Sequence, residues 1–225
     1  MRTRWITALS VLAGTLAFLV LLVTLSRPVY ANGVTVSGTV YYSTTPLPDV
    51  RVELVSGNVT DPPVFSTTTT VSGTFAFLGV PSGNYWLKAY GPTAEYIGWQ
   101  ASTITVGSTD VQSDIYLPKK MTLLSPPDNS VVETLSPTFC WQGLPEAVEY
   151  TFQLNKTSDW TLIDVQHIPV TCYKTSQVLQ NGVQYTWQID ATDRNGHNVG
   201  TTYSAFQFTV NIAHRLYLPL VLRNY

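Results

Sequence analysis

Tyr185-Thr186-Trp187-Gln188-Ile189-Asp190-Ala191-Thr192-Asp193 alternates apolar and polar side chains with a period of two. Tyr185, Trp187, Ile189 and Ala191 fall on one side of such a stretch, and Thr186, Gln188 and Asp190 on the other. A strand with one face in a core and one face in water reads this way, because successive side chains point to opposite sides of a sheet. Asn181-Gly182 before it and Asn195-Gly196 after it are strong turn signals, since both residue types tolerate positive φ. Working outward, Phe139 and Trp141 form another inner row, with Cys140 between them on the opposite face. Tyr150, Phe152 and Leu154 form a third row, and Phe206, Phe208 and Val210 a fourth. These rings are read as core before anything else, because each buries on the order of 150–250 Å².

The same period runs through the first half. Val50-Arg51-Val52-Glu53-Leu54 predicts a strand with one buried and one wet face. Thr74-Phe75-Ala76-Phe77 puts two rings on one side, and Tyr85, Leu87 and Ala89 line the next strand, with Trp86, Lys88 and Tyr90 outward. Residues 111–117 supply a last strand with Val111, Ser113, Ile115 and Leu117 on one side. Pro46-Leu47-Pro48-Asp49 and Val80-Pro81-Ser82-Gly83-Asn84 are turns in which proline fixes φ and glycine accepts positive φ. Of the 225 residues, 12% are aromatic and only 12% charged, a balance that favours strands. The expected fold is all-β: two consecutive β-sandwich domains, 34–118 and 121–211, after an N-terminal signal peptide or anchor helix in 1–31 and before a hydrophobic tail in 212–225. The connection between the domains is only a few residues, which predicts limited freedom between them.

Arg2 and Arg4 precede an apolar run over residues 6–25, and Val29-Tyr30-Ala31 offers small residues at −3 and −1 of a cut before Asn32. A run of that length is also enough for a retained span, so membrane contact would come through residues 6–25 if the segment stays uncleaved. Either way the rest of the chain is expected outside the cytoplasm, at the cell surface or beyond it. The formal net charge is −2, and becomes −5 without Arg2, Arg4 and Arg27. Phosphate binding needs clustered Lys and Arg, so a nucleic-acid partner is not expected. Cys140 and Cys172 both lie in the exported part, where a bridge can persist.

The pieces Val36-Ser37-Gly38-Thr39-Val40, Pro46-Leu47, Val50-Arg51-Val52-Glu53-Leu54, Gly73-Thr74-Phe75-Ala76-Phe77 and Val80-Pro81-Ser82-Gly83-Asn84-Tyr85 resemble, in order and spacing, the carboxypeptidase regulatory-like domain of transthyretin-like fold. That resemblance implies an accessory sandwich with no catalytic residues. Ser136-Pro137-Thr138-Phe139-Cys140-Trp141 and the strand from Tyr185 resemble a fibronectin type III or immunoglobulin-like domain, with Tyr185 placed like a tyrosine corner. It implies that residues 137–142 and about 170–176 are neighbouring strands, so that Cys140 could meet Cys172 across the ladder. The ending Tyr217-Leu218-Pro219-Leu220-Val221-Leu222-Arg223 resembles one that recurs on exported proteins of filamentous green bacteria, which implies a sorting or retention tag. A last strand docking locally explains the same run.

Catalytic chemistry finds no pattern. His167, His197 and His214 lie in separate segments without metal-ligand spacing, and no nucleophile elbow or phosphate loop occurs. Asp190, Asp193 and Asn195 fit no calcium-hand spacing. Glu146 and Glu149 read as solubility charges on a loop before a strand. No enzyme, cofactor or metal is expected. The candidate binding residues are the aromatics Trp86, Tyr90, Tyr96, Trp99 and Trp160, whose flat faces can stack on sugar rings or anchor a protein interface. For the first four, cover by loop 93–100 or by the neighbouring domain is the blander alternative. The expected function is a structural or adhesive surface module; the alternatives are a carbohydrate-binding protein and an accessory subunit of an exported enzyme system, with a cell-surface protein or polysaccharide as partner.

Overall fold

Alternation in the sequence becomes strand pairing throughout the computed structural model, which describes residues 33–213. The expected signal or anchor segment and the tail from His214 onward lie outside the described residues. Every regular element among the described residues is a strand. In the first sandwich, β1 (Val34–Tyr42) pairs antiparallel with β2 (Thr45–Pro46) and β5 (Thr74–Val80). It also pairs in parallel with two short segments, β8 (Val111–Gln112) and β9 (Ile115–Tyr116). The facing sheet runs β4 (Phe65–Thr68), β3 (Arg51–Val55), β6 (Gly83–Tyr90), β7 (Trp99–Val106). Val36, Val40, Leu54, Phe75, Phe77 and Leu87 fill the space between the sheets.

Gly38 shows why the first strand reads Ser-Gly-Thr. A Cβ at that position would lie 2.0 Å from the Ser113 carbonyl oxygen, so only glycine lets the last segment run alongside β1. The Asp110 and Asp114 carboxylates accept hydrogen bonds from the Thr35 and Thr39 amides, at 2.7 and 2.8 Å. The single strand expected over 111–117 is therefore two short pairings spaced by aspartate side chains. The left-handed residue expected at Gly83 is instead Gly79, with φ of 71°, and Gly83 already belongs to β6.

The second sandwich sets a three-stranded sheet, β11 (Leu123–Ser125), β13 (Thr138–Trp141) and β16 (Cys172–Lys174), against a larger one. The larger sheet runs β15 (Leu162–Ile168), β14 (Glu149–Lys156), β17 (Gln184–Thr192), with β18 (Asn198–Thr201) and β19 (Phe206–Val210) both paired to β17. Two short strands of the N-terminal edge join this sheet in parallel: β10 (Lys119–Lys120) on β18 and β12 (Ser130–Val132) on β19. First, second and fifth strands in one sheet, with third, fourth, sixth and seventh in the other, is the fibronectin type III-like order. Phe139, Trp141, Phe152, Trp187 and Phe208 are buried in its centre, with ring pairs such as Phe139 and Phe152 at 4.7 Å. The Tyr185 hydroxyl accepts the Gln180 amide at 2.9 Å, five residues upstream, as a tyrosine corner does.

Cys140 lies opposite Cys172 in the β13–β16 ladder and is bonded to it, with Cα atoms 4.1 Å apart. Both sulfurs sit on the face away from the core, since Phe139 and Trp141 occupy the inner positions. A bridge spanning a sequence separation of 32 restricts the unfolded chain and contributes roughly 3–4 kcal/mol. Urea unfolding of the Cys140→Ser/Cys172→Ser double variant is expected to lose about that much stability with the fold retained. Trp187→Ala, which empties the centre of the same core, is expected to cost about 3–5 kcal/mol in the same assay.

The junction between the sandwiches as candidate functional site

Only Leu117 and Pro118 separate the last strand of the first sandwich from the first strand of the second. Leu117 is fully buried, and its amide donates to the Tyr41 carbonyl at 2.8 Å. The next residues are held from both sides. Lys119 and Lys120 pair with Gly200 and Thr201 of the second sandwich. Loop 91–98 of the first sandwich meets the same segment: Ile97 N–H donates to Pro118 O at 3.2 Å, and Lys120 N–H donates to Glu95 O at 2.8 Å. The expected short connection is thus itself built into sheet pairing, and the described residues belong to one compact unit. Leu117, Met121, Tyr42 and Tyr96 are part of a single buried cluster that runs through both sandwiches.

Side chains lock the contact. Ser43 Oγ donates to Asp193 Oδ2 at 2.8 Å in a buried hydrogen bond between the two sandwiches. Ser43 adopts a left-handed conformation, with φ of 53°, that carries it over the end of β1. Asp193 Oδ1 accepts the Asn195 and His197 amides at 2.9 and 3.0 Å, so the carboxylate also organises the β17–β18 turn. The His197 ring lies flat on Tyr116 of the first sandwich, centroids 3.8 Å apart, and Tyr116 in turn stacks on Tyr41 at 5.5 Å. On the other flank Tyr42 donates to Glu146 at 2.7 Å, Tyr96 meets Tyr42 edge-on, and Lys119 sits over the Tyr42 ring at 4.5 Å while pairing with Glu95 at 3.2 Å. Burial, then the hydrogen-bonded Glu146 carboxylate, pushes the Tyr42 phenol far above its ordinary range. At Asp193 burial acts to raise the pKa, but the hydrogen bonds from Ser43, His197 and Asn195 outweigh it and hold the carboxyl below the usual carboxylate range.

The expected binding aromatics are not brought together as a set. Trp86 and Tyr90, placed on the outer side by strand parity with cover as the blander alternative, are both half-buried. Loop 56–63 meets the outer face of β3 and β6 at Trp86 and Lys88, and Trp99 from the 93–100 stretch lies beside Lys88 on the same face. Trp86 Nε1 donates to Gly57 O at 3.1 Å and Lys88 Nζ to Val59 O at 3.0 Å. Arg51 lies over the Tyr90 ring at 3.9 Å, and the Tyr90 hydroxyl donates to Glu53 at 2.7 Å. The face expected to be wet is therefore closed, and Glu53 is buried there. Tyr96 is buried in the junction and offers no free face. Trp99 remains 44% exposed at the start of β7, and Trp160 65% exposed in the β14–β15 turn, in separate sandwiches.

The acidic and histidine groups singled out in the sequence, where they lie among the described residues, have structural partners as well. Asp190 accepts the Thr201 hydroxyl, Glu146 accepts Tyr42, and Glu149 lies 3.4 Å from His167 on the surface. Among the described residues no cluster of three His, Cys, Asp or Glu side chains could hold a metal ion. The residues of the junction that the sequence reading missed are Tyr42, Ser43, Tyr116 and Tyr203; the period of β1 puts Tyr42 on its inner side, and nothing in strand period marks the other three.

No protein-family model matches the chain, and no curated protein matches it in sequence. Among solved structures it is similar to a DUF3823 family protein from Parabacteroides merdae, at 14% identity and a TM-score of 0.33 over 78% of this chain and 98% of that one. It is also similar to the fibronectin(III)-like modules of Clostridium thermocellum CbhA, at 14% identity and a TM-score of 0.31, covering 42% of this chain and 99% of that one. CopC from Methylosinus trichosporium matches at 19% identity and a TM-score of 0.33, over 43% of this chain and 99% of that one. The β-sandwich architecture itself is given by the chain's own strand order.

Two outcomes follow for the clamp. Ser43→Ala removes a buried hydrogen bond to a charged group and is expected to cost about 1.5–3 kcal/mol in urea unfolding. Because the Asp193 pKa is depressed in the folded chain, its contribution is complete above the unfolded value of about 3.9 and is lost as pH falls through the lower folded value. Stability measured from about pH 6 downward should therefore drop more steeply below about pH 4 in the native chain than in Asp193→Asn, which has no proton to gain.

Proposed function

We propose that the chain is an exported, non-catalytic structural module in which two β-sandwiches form one stiff unit at the cell surface. The observation that carries the reading is the junction: a two-residue crossing clamped by strand pairing and by the buried Ser43–Asp193 hydrogen bond. A tether built for free movement would be longer and solvated, as Gly/Ser-rich or charged linkers are. The buried or half-buried carboxylates support the non-catalytic part, since Glu53, Asp164, Asp190 and Asp193 are all engaged in holding neighbouring strands and turns. The disulfide supports an oxidising location outside the cytoplasm, in keeping with the signal or anchor segment expected from residues 1–31. The first sandwich we read as carboxypeptidase regulatory-like, supported by the Gly38 close approach and the motif order, and its role as an accessory one.

Labelling intact cells with a membrane-impermeant amine reagent and, in a separate unlabelled sample, brief trypsin treatment test the two parts. The exposed Lys174 should be labelled in unbroken cells, and trypsin should spare Lys119 and Lys120 because both are held in the junction. Labelling only after lysis, or a pair of fragments from early cleavage at Lys119–Lys120, would contradict the reading.

A further inference from the structure

Closing the junction creates a groove of about 300 Å³ that neither sandwich has alone, lined by Ile97, Gly98 and Trp99 of the first and Thr201, Thr202 and Tyr203 of the second. None of these six side chains is charged. Two aromatic rings bound the space from opposite sandwiches: Trp99 at the start of β7, and Tyr203, 68% exposed, between β18 and β19. Each ring has over one face a lysine that takes no part in the groove. Lys88 Nζ lies 4.7 Å from the Trp99 ring and is itself buried and tied to the Val59 carbonyl. Lys120 Nζ lies 4.9 Å from the Tyr203 ring but lines a separate cavity with Glu95 and Gln142. A ring braced on one face still presents the other.

The polar groups of the groove divide in a similar way. Thr201 Oγ1 donates to Asp190, and Thr202 Oγ1 joins the Ile189 carbonyl and amide, so both hydroxyls are occupied. The Trp99 indole N–H and the Tyr203 hydroxyl hydrogen-bond to no described residue. Trp86 and Tyr90, on the closed face of β6, spend theirs on Gly57 and Glu53. The groove therefore offers two apolar ring faces, each with an unused polar group at its edge.

We propose that this groove binds a neutral polysaccharide, with pyranose rings against Trp99 and Tyr203 and sugar hydroxyls on the indole N–H and the phenol. A pyranose has the matching construction, C–H groups on its faces and hydroxyls around its rim, and it needs no counter-charge. An acidic polymer, whether glycan or nucleic acid, would meet no cation in the lining and a chain of formal net charge −2. A folded protein partner would bury ~800 Å² on each side, whereas a groove of about 300 Å³ is at the small end of ligand pockets. A polyproline segment turns once every three residues and is read by a series of aromatic slots; here one space holds two rings. The binding role is additional to the structural one and rests on the fixed junction of the proposed function, since the two rings face one groove only while the sandwiches keep their contact.

Titration of the full chain with cellohexaose, mannohexaose, maltohexaose and chitohexaose, read by calorimetry and tryptophan fluorescence, tests it, with polygalacturonate and decaproline as probes of the other chemistries. At least one neutral hexasaccharide is expected to bind, with an affinity that salt leaves unchanged. That affinity should fall about tenfold in Trp99→Ala and in Tyr203→Ala. Tyr203→Phe, which keeps the ring face and removes the hydroxyl, should lose less, and Trp160→Ala should lose nothing. Tyr203 is mostly exposed, so its removal leaves the fold in place. Absence of binding by all four hexasaccharides up to ~5 mM, tighter binding of polygalacturonate or decaproline, or full affinity in Tyr203→Ala overturns the proposal. Failure with the sandwiches still tumbling as one body in nuclear spin relaxation would count against the groove alone; independent tumbling would count against the fixed junction.

Discussion

One buried carboxylate does two jobs that are hard to separate. Asp193 closes the β17–β18 turn through the Asn195 and His197 amides and at the same time takes the Ser43 hydroxyl from the other sandwich. Burying a charge is costly unless hydrogen bonds replace its water, and here three donors from two sandwiches supply that replacement. Separating the sandwiches would expose the carboxylate but leave the Tyr116–His197 stack, the Lys119–Glu95 pair and the parallel β10–β18 ladder without partners. The contact between sandwiches therefore resembles the interior of a domain more than a surface meeting.

A groove lined by Ile97, Gly98 and Trp99 of the first sandwich and Thr201, Thr202 and Tyr203 of the second is a consequence of that constraint. Trp99 starts an edge strand of the first sandwich, and Tyr203 lies in the break between β18 and β19 of the second. Neither position is special within its own sheet. They face one space because Lys120, which pairs with Thr201 two residues before Tyr203, also donates its N–H to the Glu95 carbonyl of loop 91–98.

The strands and both cores were legible because alternation survives wherever one face is buried and one is wet. Phe139, Trp141, Phe152, Trp187 and Phe208 were identifiable as core from period alone. The Cys140–Cys172 pairing followed from the resemblance once strands two and five were taken as neighbours. What misled was the outer face of β3 and β6. Period two says which side a residue is on, and it does not say whether a loop later covers that side, as residues 56–63 do at Trp86 and Lys88. The junction was illegible for a related reason: Ser43, Tyr116 and Tyr203 sit at strand ends and in turns, where side-chain direction depends on tertiary contacts far along the chain.

Through the Ser43–Asp193 clamp and the β10–β18 ladder the two sandwiches hold one orientation. Residual dipolar couplings from backbone amides of both sandwiches, collected in one weakly aligned sample, measure that orientation directly. A single alignment tensor is expected to fit both sets. Tensors of clearly different magnitude for the two sandwiches would mean that they move independently, and would contradict it.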